Sequence, residues 1–182
     1  AAEVLILAAD IGILEGCAEA PLLDLMPEAQ ARSIRGNRQP ADRRRRILAR
    51  LLLAFGLGIL DNWDMRTGLA AVRHGPQGRP WVAGCSRPVS ISHAGQWAVC
   101  GIGQARASGG IGVDVEKIRP LDAEDFRLVF TLSECAAIRR AENPASELIR
   151  RWTIKEAVLK ASGTGLLADP LRCDTMETGD GE

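Results

Sequence analysis

The chain has 182 residues, of which 46% are apolar and 25% are charged, a composition typical of a soluble globular protein with one large domain or two small ones. Its 23 Lys and Arg residues balance 23 Asp and Glu residues, so no net charge indicates a nucleic acid or an anionic membrane as partner. The five cysteines are odd in number and form no C-x-x-C pair, so we expect neither a disulfide framework nor a zinc site, but free thiols in a reducing cytosol.

The first part of the chain is predicted to contain both strands and helices. In order, we predict a buried strand at residues 4–8, a helix at 21–36, a helix at 43–60 and two extended segments within 88–102. The helix at 43–60 repeats its apolar side chains at helical spacing, and Asp42 before it is a suitable N-cap. Between the two extended segments, Ala94 and Gly95 predict a turn.

The second part of the chain is predicted to begin in the glycine-containing stretch 101–110. Alternating residues predict a strand at 111–118, and apolar periodicity predicts helices at 124–141 and 147–162. The acidic residues after Asp169 predict a polar or frayed tail.

Asp114 and Glu116 are the first candidate functional pair. The period of two in a strand sends both carboxylates to one face, with their backbone positions about 6.5–7 Å apart. Two carboxylates on one face can bind a hard cation such as Mg²⁺, which prefers oxygen ligands. From the spacing alone, a half-exposed strand with solvated acids remains the simpler interpretation.

A second candidate group lies on the last predicted helix. Trp152, Lys155, Glu156 and Leu159 share one helix face, so the charged pair is held beside apolar neighbours. The chain has 20 Arg but only three Lys, and two of those three lie in this segment. A lysine ammonium suits a point-charge contact to phosphate. The alternative is an ordinary surface ion pair between Glu156 and Lys160.

Two further features could bind phosphate. Residues 43–46 are four consecutive arginines in the first turns of a helix, where a bound anion would offset their repulsion with the helix dipole. Ser92 and His93 end a strand and could both donate hydrogen bonds to a phosphate. The simpler interpretations are solvated arginines and a structural histidine.

Five motifs, taken in order, resemble those of the phosphopantetheinyl transferases. They are Gly78-Arg79-Pro80, Ile91-Ser92-His93, Gly112-Val-Asp114-Val-Glu116, Phe130-Thr-Leu-Ser-Glu134 and Trp152-Thr-Ile-Lys155-Glu156-Ala-Val-Leu-Lys160. Residues 42–53 are similar to the arginine-bearing helix of that family. The order and spacing resemble the longer, pseudo-dimeric class that includes the surfactin-synthetase activator.

The resemblance implies that the protein transfers the 4′-phosphopantetheine arm of coenzyme A to a serine of an apo acyl or peptidyl carrier protein, releasing 3′,5′-ADP. It implies Mg²⁺ held by Asp114, Glu116 and Glu156, with Glu156 also taking the serine proton. Lys155 and Lys160 would meet the diphosphate, which makes Lys155 a second catalytic candidate. The implied contacts to the rest of coenzyme A come from Arg32, Arg45, Arg79, Ser92 and His93.

The resemblance also implies an α+β fold of two similar lobes, each a small sheet packed on helices, with the active cleft between them. We expect residues 1–104 to supply the cations and residues 105–182 to supply the carboxylates. Family members continue for several strands beyond residue 165, so we expect the second lobe to be incomplete. We expect no membrane span, because no apolar run approaches ~18–20 residues, and no signal peptide, because residues 4–14 lack a basic n-region and a cleavage signature. We also expect a cytoplasmic monomer.

Two other functions stay open at this point. One is a different Mg²⁺-dependent nucleotide phosphotransferase. The other is a non-catalytic or truncated chain that binds coenzyme A or the carrier protein without turnover.

Overall fold

The computed structural model describes residues 4–75, 78–105, 109–120, 126, 128–163 and 168–176. Its helices are α1 (Glu19–Leu23), α2 (Glu28–Arg35), α3 (Pro40–Asp61), α4 (Met65–Ala71), α5 (Leu132–Arg140) and α6 (Pro144–Ser162). Its strands are β1 (Leu5–Asp10), β2 (Val72–His74), β3 (Pro80–Val82), β4 (Val89–Ala94) and β5 (Trp97–Ile102). Short 3-10 helices lie at Ile11–Leu14 and Pro170–Arg172. This mixture of helices and small antiparallel sheets confirms the α+β class.

The main sheet has three antiparallel strands in the order β1-β5-β4. β4 and β5 form the expected hairpin, and its turn uses Gly95 at φ 56°, a backbone conformation that glycine adopts without strain. β1 is the strand predicted at residues 4–8, but the prediction that it is buried is wrong. Its side chains alternate between the two faces of the sheet, those on one face are exposed at the start of the strand, and Ile6 is 60% exposed. A second, smaller sheet pairs β2 with β3.

Helix α3 packs across the main sheet. Its fully buried residues include Ile47, Leu53 and Leu57. At Gly56 the helix approaches the sheet so closely that an added Cβ would lie 2.5 Å from the Ile102 Cδ1 atom. The predicted helix is therefore confirmed, although it begins at Pro40 and its N-cap residue is Gln39 rather than Asp42.

The prediction of one helix over residues 21–36 is wrong, since the structure has two. α1 ends at Leu23, and α2 begins after Pro27, which occupies its N-cap position. A proline has no backbone N–H to donate and its ring crowds the preceding turn, so a continuous helix across Pro27 is disfavoured.

The predicted strand at 111–118 is absent, because the described residues contain no strand that pairs with it. The segment has no regular secondary structure, and the backbone N–H of Val113 donates to the side-chain hydroxyl of Ser90 in β4 at 3.1 Å rather than to the backbone of a strand. The segment packs on α6: a Cβ at Gly112 would lie 1.7 Å from the Ala157 carbonyl oxygen. A strand requires a hydrogen-bonded neighbour, and alternation within one segment does not show whether there is one.

Helices α5 and α6 share an apolar cluster of Phe130, Cys135, Ile138, Leu148 and Ile149. α5 begins only at Leu132, later than predicted, because a capping box between the Thr131 and Glu134 side chains sets its start. Part of the predicted helix at 124–141 lies outside the described residues.

α6 confirms the last predicted helix. It begins slightly earlier than expected, with Asn143 as its N-cap, and ends before Gly163, whose φ of 74° suits a helix C-terminus. The segment after it, predicted to be polar or frayed, is anchored by Thr175, which is 2% exposed, while most of the other residues at 168–176 are exposed.

The second predicted lobe has no sheet in the part that the structure describes, since residues 109–120 and 126–176, where described, contain helices and turns only. The division after residue 104 stays a prediction. Among the described residues, no helix combines the length and the apolar character needed to cross a bilayer.

Candidate active site

A cleft of about 880 Å³ lies where β4, α3 and β2 face the segment 110–116 and α6. Six of the predicted site residues line it: Ser92, His93, Asp114, Glu116, Glu156 and Lys160. They come from three elements that are far apart in the sequence. The close packing of Gly112 on α6 brings Asp114 to the helix that carries Glu156 and Lys160.

Asp114 is the centre of the polar contacts in the cleft. Its Oδ1 atom accepts hydrogen bonds from the Ser92 hydroxyl at 2.7 Å and from the Lys160 ammonium at 2.6 Å. The same ammonium also donates to the Ser92 hydroxyl at 3.0 Å. The other oxygen of Asp114, Oδ2, is buried and has no hydrogen-bond partner among the described residues. A buried carboxylate oxygen without a partner lowers the stability of the fold unless a ligand binds to it.

The other two carboxylates are crowded by negative charge. Burial, reinforced by the charge of Asp114, raises the pKa of the Glu116 carboxyl. Burial and then the same charge raise the pKa of the Glu156 carboxyl. A divalent cation would relieve this repulsion, because oxygen donors of this kind are its preferred ligands.

These residues fit a metal ion that is shared with a substrate. No three His, Cys, Asp or Glu side chains among the described residues lie close enough to form a metal cage by themselves. Mg²⁺ does not require such a cage, since it commonly takes one or two carboxylates together with water and substrate phosphates. The unpaired Oδ2 of Asp114 is the observation in favour of this fit.

The opposite wall of the cleft is cationic. It includes the guanidinium groups of Arg46, Arg50 and Arg73, and the imidazoles of His74 and His93 lie beside them. Burial lowers the pKa of His93, and the charge of Arg46 lowers it further. The cleft therefore has an acidic side and a basic side. Arg46 belongs to the run of arginines at 43–46 that the sequence offered as a phosphate site, whereas Arg50, Arg73 and His74 were not among the predicted site residues. The spacing of Arg46 and Arg50 on one helix face was a signal for Arg50.

Lys155 lies outside the cleft, contrary to its predicted contact with a diphosphate. It is fully buried, and its ammonium forms an ion pair with Glu134 at 3.0 Å. It also donates to the carbonyl oxygens of Pro170 at 2.9 Å and Cys173 at 2.6 Å. Successive residues of a helix point about 100° apart, so Glu156 faces the cleft while Lys155 faces the protein interior.

Three predicted arginines also lie elsewhere. Arg32 is exposed and forms an ion pair with Glu28. Arg45 donates to the Asp42 carboxylate and to the Gly95 carbonyl oxygen, and it lines a neighbouring cavity of about 740 Å³. The Arg79 guanidinium packs at Gly163, where an added Cβ would lie 2.1 Å from it. The structure does not bring these three side chains to the cleft.

Residues 110–182 match the sequence model of the 4′-phosphopantetheinyl transferase superfamily. The match covers 73 of the 182 residues, and this stretch of the chain is similar to that superfamily. It supplies Asp114, Glu116, Glu156 and Lys160 to the cleft. The resemblance drawn from the motifs is thereby confirmed for this part of the chain.

Curated phosphopantetheinyl transferases match the chain over 66 to 79 residues. The chain is 30% identical to 4′-phosphopantetheinyl transferase Sfp of Bacillus subtilis over 79 residues, which are 42% of this chain and 34% of Sfp. It is 33% identical to 4′-phosphopantetheinyl transferase gsp of Aneurinibacillus migulanus, over 42% of this chain and 32% of that protein. It is 41% identical to L-aminoadipate-semialdehyde dehydrogenase-phosphopantetheinyl transferase of Schizosaccharomyces pombe, over 34% of this chain and 26% of that protein. The match thus spans 26% to 34% of the length of these relatives.

Proposed function

We propose that the protein transfers the 4′-phosphopantetheine arm of coenzyme A to a serine of an apo acyl or peptidyl carrier protein, with Mg²⁺, and releases 3′,5′-ADP. The observation that carries this proposal is the single cleft in which Asp114, Glu116 and Glu156 face a cationic wall. A diphosphate needs both kinds of group, because its charge is neutralised by cations on one side and by a carboxylate-bound metal on the other. The family match of residues 110–182 supports the same reaction.

The metal ligands in this proposal are Asp114, Glu116 and Glu156. When bound, Mg²⁺ would supply charge neutralisation of the diphosphate during transfer. Asp114 offers its unpaired Oδ2 atom, and the crowded carboxylates of Glu116 and Glu156 would gain from a nearby cation. Residues before position 105 would contribute cations, and later residues would contribute carboxylates.

Glu156 is the proposed proton acceptor. Burial and the charge of Asp114 raise its pKa, which makes its carboxylate a stronger base than a solvated one. In the proposed step, the serine oxygen bonds to the phosphorus that carries the pantetheine arm. The bond from that phosphorus to 3′,5′-ADP breaks, and the serine proton moves to Glu156.

Lys160, Ser92 and His93 would orient the diphosphate. Lys160 donates to the Ser92 hydroxyl across the cleft and both groups donate to Asp114, so the two side chains meet at one point of its wall. His93 lies on the basic side of the cleft. Lys155 and Arg32 are not among these contacts, because neither side chain lines the cleft.

The test is a mass measurement. We expect an apo carrier domain incubated with the protein, coenzyme A and Mg²⁺ to gain the mass of one phosphopantetheine arm. Glu156→Gln should slow the transfer by about 10²- to 10⁴-fold, the usual effect of losing a general base. Glu142→Gln is the matched control, because Glu142 is exposed and is not among the residues that line the cleft. An unmodified carrier after incubation with folded wild-type protein would contradict the proposal.

A second function is favoured by one observation, namely that Lys160 already pairs with Asp114. The protein could then bind coenzyme A or the carrier without turnover. Thermal unfolding with and without coenzyme A and Mg²⁺ separates the two functions when it is followed by the mass assay. Stabilisation without product would favour the binding function.

A further inference from the structure

We propose that Ser90 of β4 and Gly101 of β5 form a notch in the main sheet that holds Val113 and thereby sets the position of the Asp114 carboxylate. Ser90 is then a positioning residue, because it acts on Asp114 through the backbone of Val113. The inference rests on the proposed function for the role of Asp114 as a metal ligand. Both sides of the notch lie before the stretch that matches the family model, whereas Val113 and Asp114 lie within it.

The two sides of the notch are opposite each other in the sheet. Ser90 and Gly101 are cross-strand partners in the β4–β5 hairpin. Side chains alternate between the two faces of a strand, so Ser90 faces away from α3, while its neighbour Val89 packs in an apolar cluster with residues of α3. Ser90 is only 3% exposed, and a buried hydroxyl needs a hydrogen-bond partner. That partner comes from the segment 110–116.

Val113 fits the notch with both its backbone and its side chain. Its N–H donates to the Ser90 hydroxyl oxygen at 3.1 Å. An added Cβ at Gly101 would lie 2.6 Å from the Val113 Cγ1 atom, so the valine side chain occupies the space that a larger residue in β5 would fill. The carbonyl oxygen of Val113 accepts a hydrogen bond from the Lys160 ammonium at 3.3 Å. The peptide groups on both sides of Val113 are therefore held.

Asp114 follows directly, so the notch determines where its carboxylate enters the cleft. Ser92 lies two residues after Ser90 on the same face of β4, and its hydroxyl donates to Oδ1 of Asp114 at 2.7 Å. The backbone before Asp114 and one of its side-chain oxygens are thus both attached to β4. The other oxygen, Oδ2, is the buried atom without a partner among the described residues. A ligand atom of this kind has to be held within about 0.5 Å of its productive position.

Ser90→Ala tests the proposal, because it removes the acceptor and keeps the rest of the notch. We expect hydrogen exchange of the Val113 amide, followed by NMR, to become at least about tenfold faster, since the N–H loses its partner. The metal probe is Mn²⁺ alone, which shares the preference of Mg²⁺ for oxygen ligands. In titrations followed by EPR, we expect its affinity to fall by at least about tenfold.

Val89→Ala is the matched control, because Val89 is buried in the same strand but on the α3 side. It should lower the melting temperature, since it removes buried apolar contacts. A role of Ser90 in stability alone would make the two variants alike. The positioning role predicts instead that Val89→Ala binds Mn²⁺ as the wild type does.

A second variant protects the test against unfolding of Ser90→Ala. Gly101→Ala crowds the other side of the notch, so Val113 must move, and we expect the same loss of Mn²⁺ affinity. Circular dichroism establishes the fold and the melting temperature of each variant. If Ser90→Ala does not fold, the Mn²⁺ affinity of Gly101→Ala decides the outcome.

Faster exchange of the Val113 amide and weaker Mn²⁺ binding in Ser90→Ala, with wild-type affinity in Val89→Ala, support the positioning role. Unchanged exchange or unchanged Mn²⁺ affinity in Ser90→Ala refutes it, as does an equal loss of affinity in Val89→Ala or no Mn²⁺ binding by the wild type. Carrier modification is measured separately. A wild type that binds Mn²⁺ in this Ser90-dependent way but leaves the carrier unmodified counts against the proposed function alone.

Discussion

Two groups of charged residues lie on neighbouring sides of α6, and they differ in how completely their polar atoms are paired. Around Lys155, both oxygens of Glu134 accept hydrogen bonds, from the Thr131 backbone N–H at 2.8 Å and from the Thr175 backbone N–H at 2.9 Å. Lys155 itself contacts Glu134 and two backbone carbonyl oxygens. In the cleft, by contrast, Asp114 keeps an oxygen without a partner in the described residues, and the pKa of Glu156 is raised by burial and nearby charge.

We interpret the fully paired group as structural and the incompletely paired group as functional. Buried charges that satisfy each other hold the protein in one conformation, and here they fix residues 168–176 against α5 and α6. Charges that remain unpaired or mutually repulsive in a cleft are typical of sites that await a ligand. Lys155 and Glu156 are adjacent in sequence and belong to the two different groups.

The largest effect on stability is expected from breaking the paired group. Lys155→Met leaves Glu134 as a buried charge without its cation, so we expect the free energy of unfolding to fall by about 3–5 kcal/mol in urea denaturation. Lys117→Met is the control, because Lys117 is exposed and its loss should change little. A loss of less than about 1 kcal/mol in Lys155→Met would contradict the structural role of this ion pair.

The dependence of unfolding stability on pH tests the structural role of the same ion pair. Burial opposes ionisation of Glu134, but hydrogen bonds from Thr175 and Thr131 and the contact with Lys155 outweigh it and lower its pKa from 4.5 to about 2. A lowered folded-state pKa gives stability that is present above the unfolded-state pKa and is lost as the pH falls from about 4.5 to about 2. The contribution is on the order of 3 kcal/mol.

Thermal unfolding at a series of pH values measures this dependence. Glu134→Gln should be less stable near neutral pH and should show a flatter acid limb than the wild type. Equal acid limbs in the two proteins would show that Glu134 is not the group responsible.

The arrangement of the charged residues in the cleft depends on the close contact between Gly112 and α6. A Cβ in Gly112→Ala would lie 1.7 Å from the Ala157 carbonyl oxygen, so the segment must move away from the helix. We expect a loss of about 1–3 kcal/mol in unfolding free energy, the usual cost of overpacking, and weaker binding of Mg²⁺ by calorimetry. In Gly109→Ala the added Cβ has nothing within 4 Å, so this control should retain both properties. Wild-type stability in Gly112→Ala would argue against tight packing of the segment on α6.

The smallest effect is expected at Arg32, which belongs to neither group. Its side chain is 79% exposed and pairs with Glu28 at 3.6 Å. Arg32→Gln should change stability by less than about 0.5 kcal/mol, as exposed ion pairs usually do. Its affinity for coenzyme A, measured by calorimetry, should equal that of the wild type. A tenfold loss would return Arg32 to the ligand contacts that the sequence predicted.

The sequence predicted the acidic side of the cleft better than its basic side. The order of the motifs predicted that four of their residues lie close together, and the structure brings these residues into one cleft: Asp114, Glu116, Glu156 and Lys160. The register of α3 was harder to predict, because a shift of one residue turns a side chain by about 100° and exchanges Arg45 for Arg46.

Long-range contacts explain the other differences. The sequence predicts that Lys155 lies on a packed helix face. Whether its ammonium contacts a ligand or a buried partner depends on residues 168–176, and only the tertiary structure brings these residues next to it. The alternating residues at 111–118 predicted an extended backbone, but alternation does not show whether a second strand lies beside it.

The shared contact of Ser92, Asp114 and Lys160 has a consequence for the order of ligand binding. The Lys160 ammonium binds one oxygen of Asp114, so a divalent ion on the other oxygen would be held close to a positive charge. A phosphate group that draws Lys160 away would remove that repulsion, and an ion on Asp114 would in turn favour movement of Lys160 toward the phosphate. Anion and metal would therefore promote each other's binding by an equal factor, with Lys160 as the coupling between them.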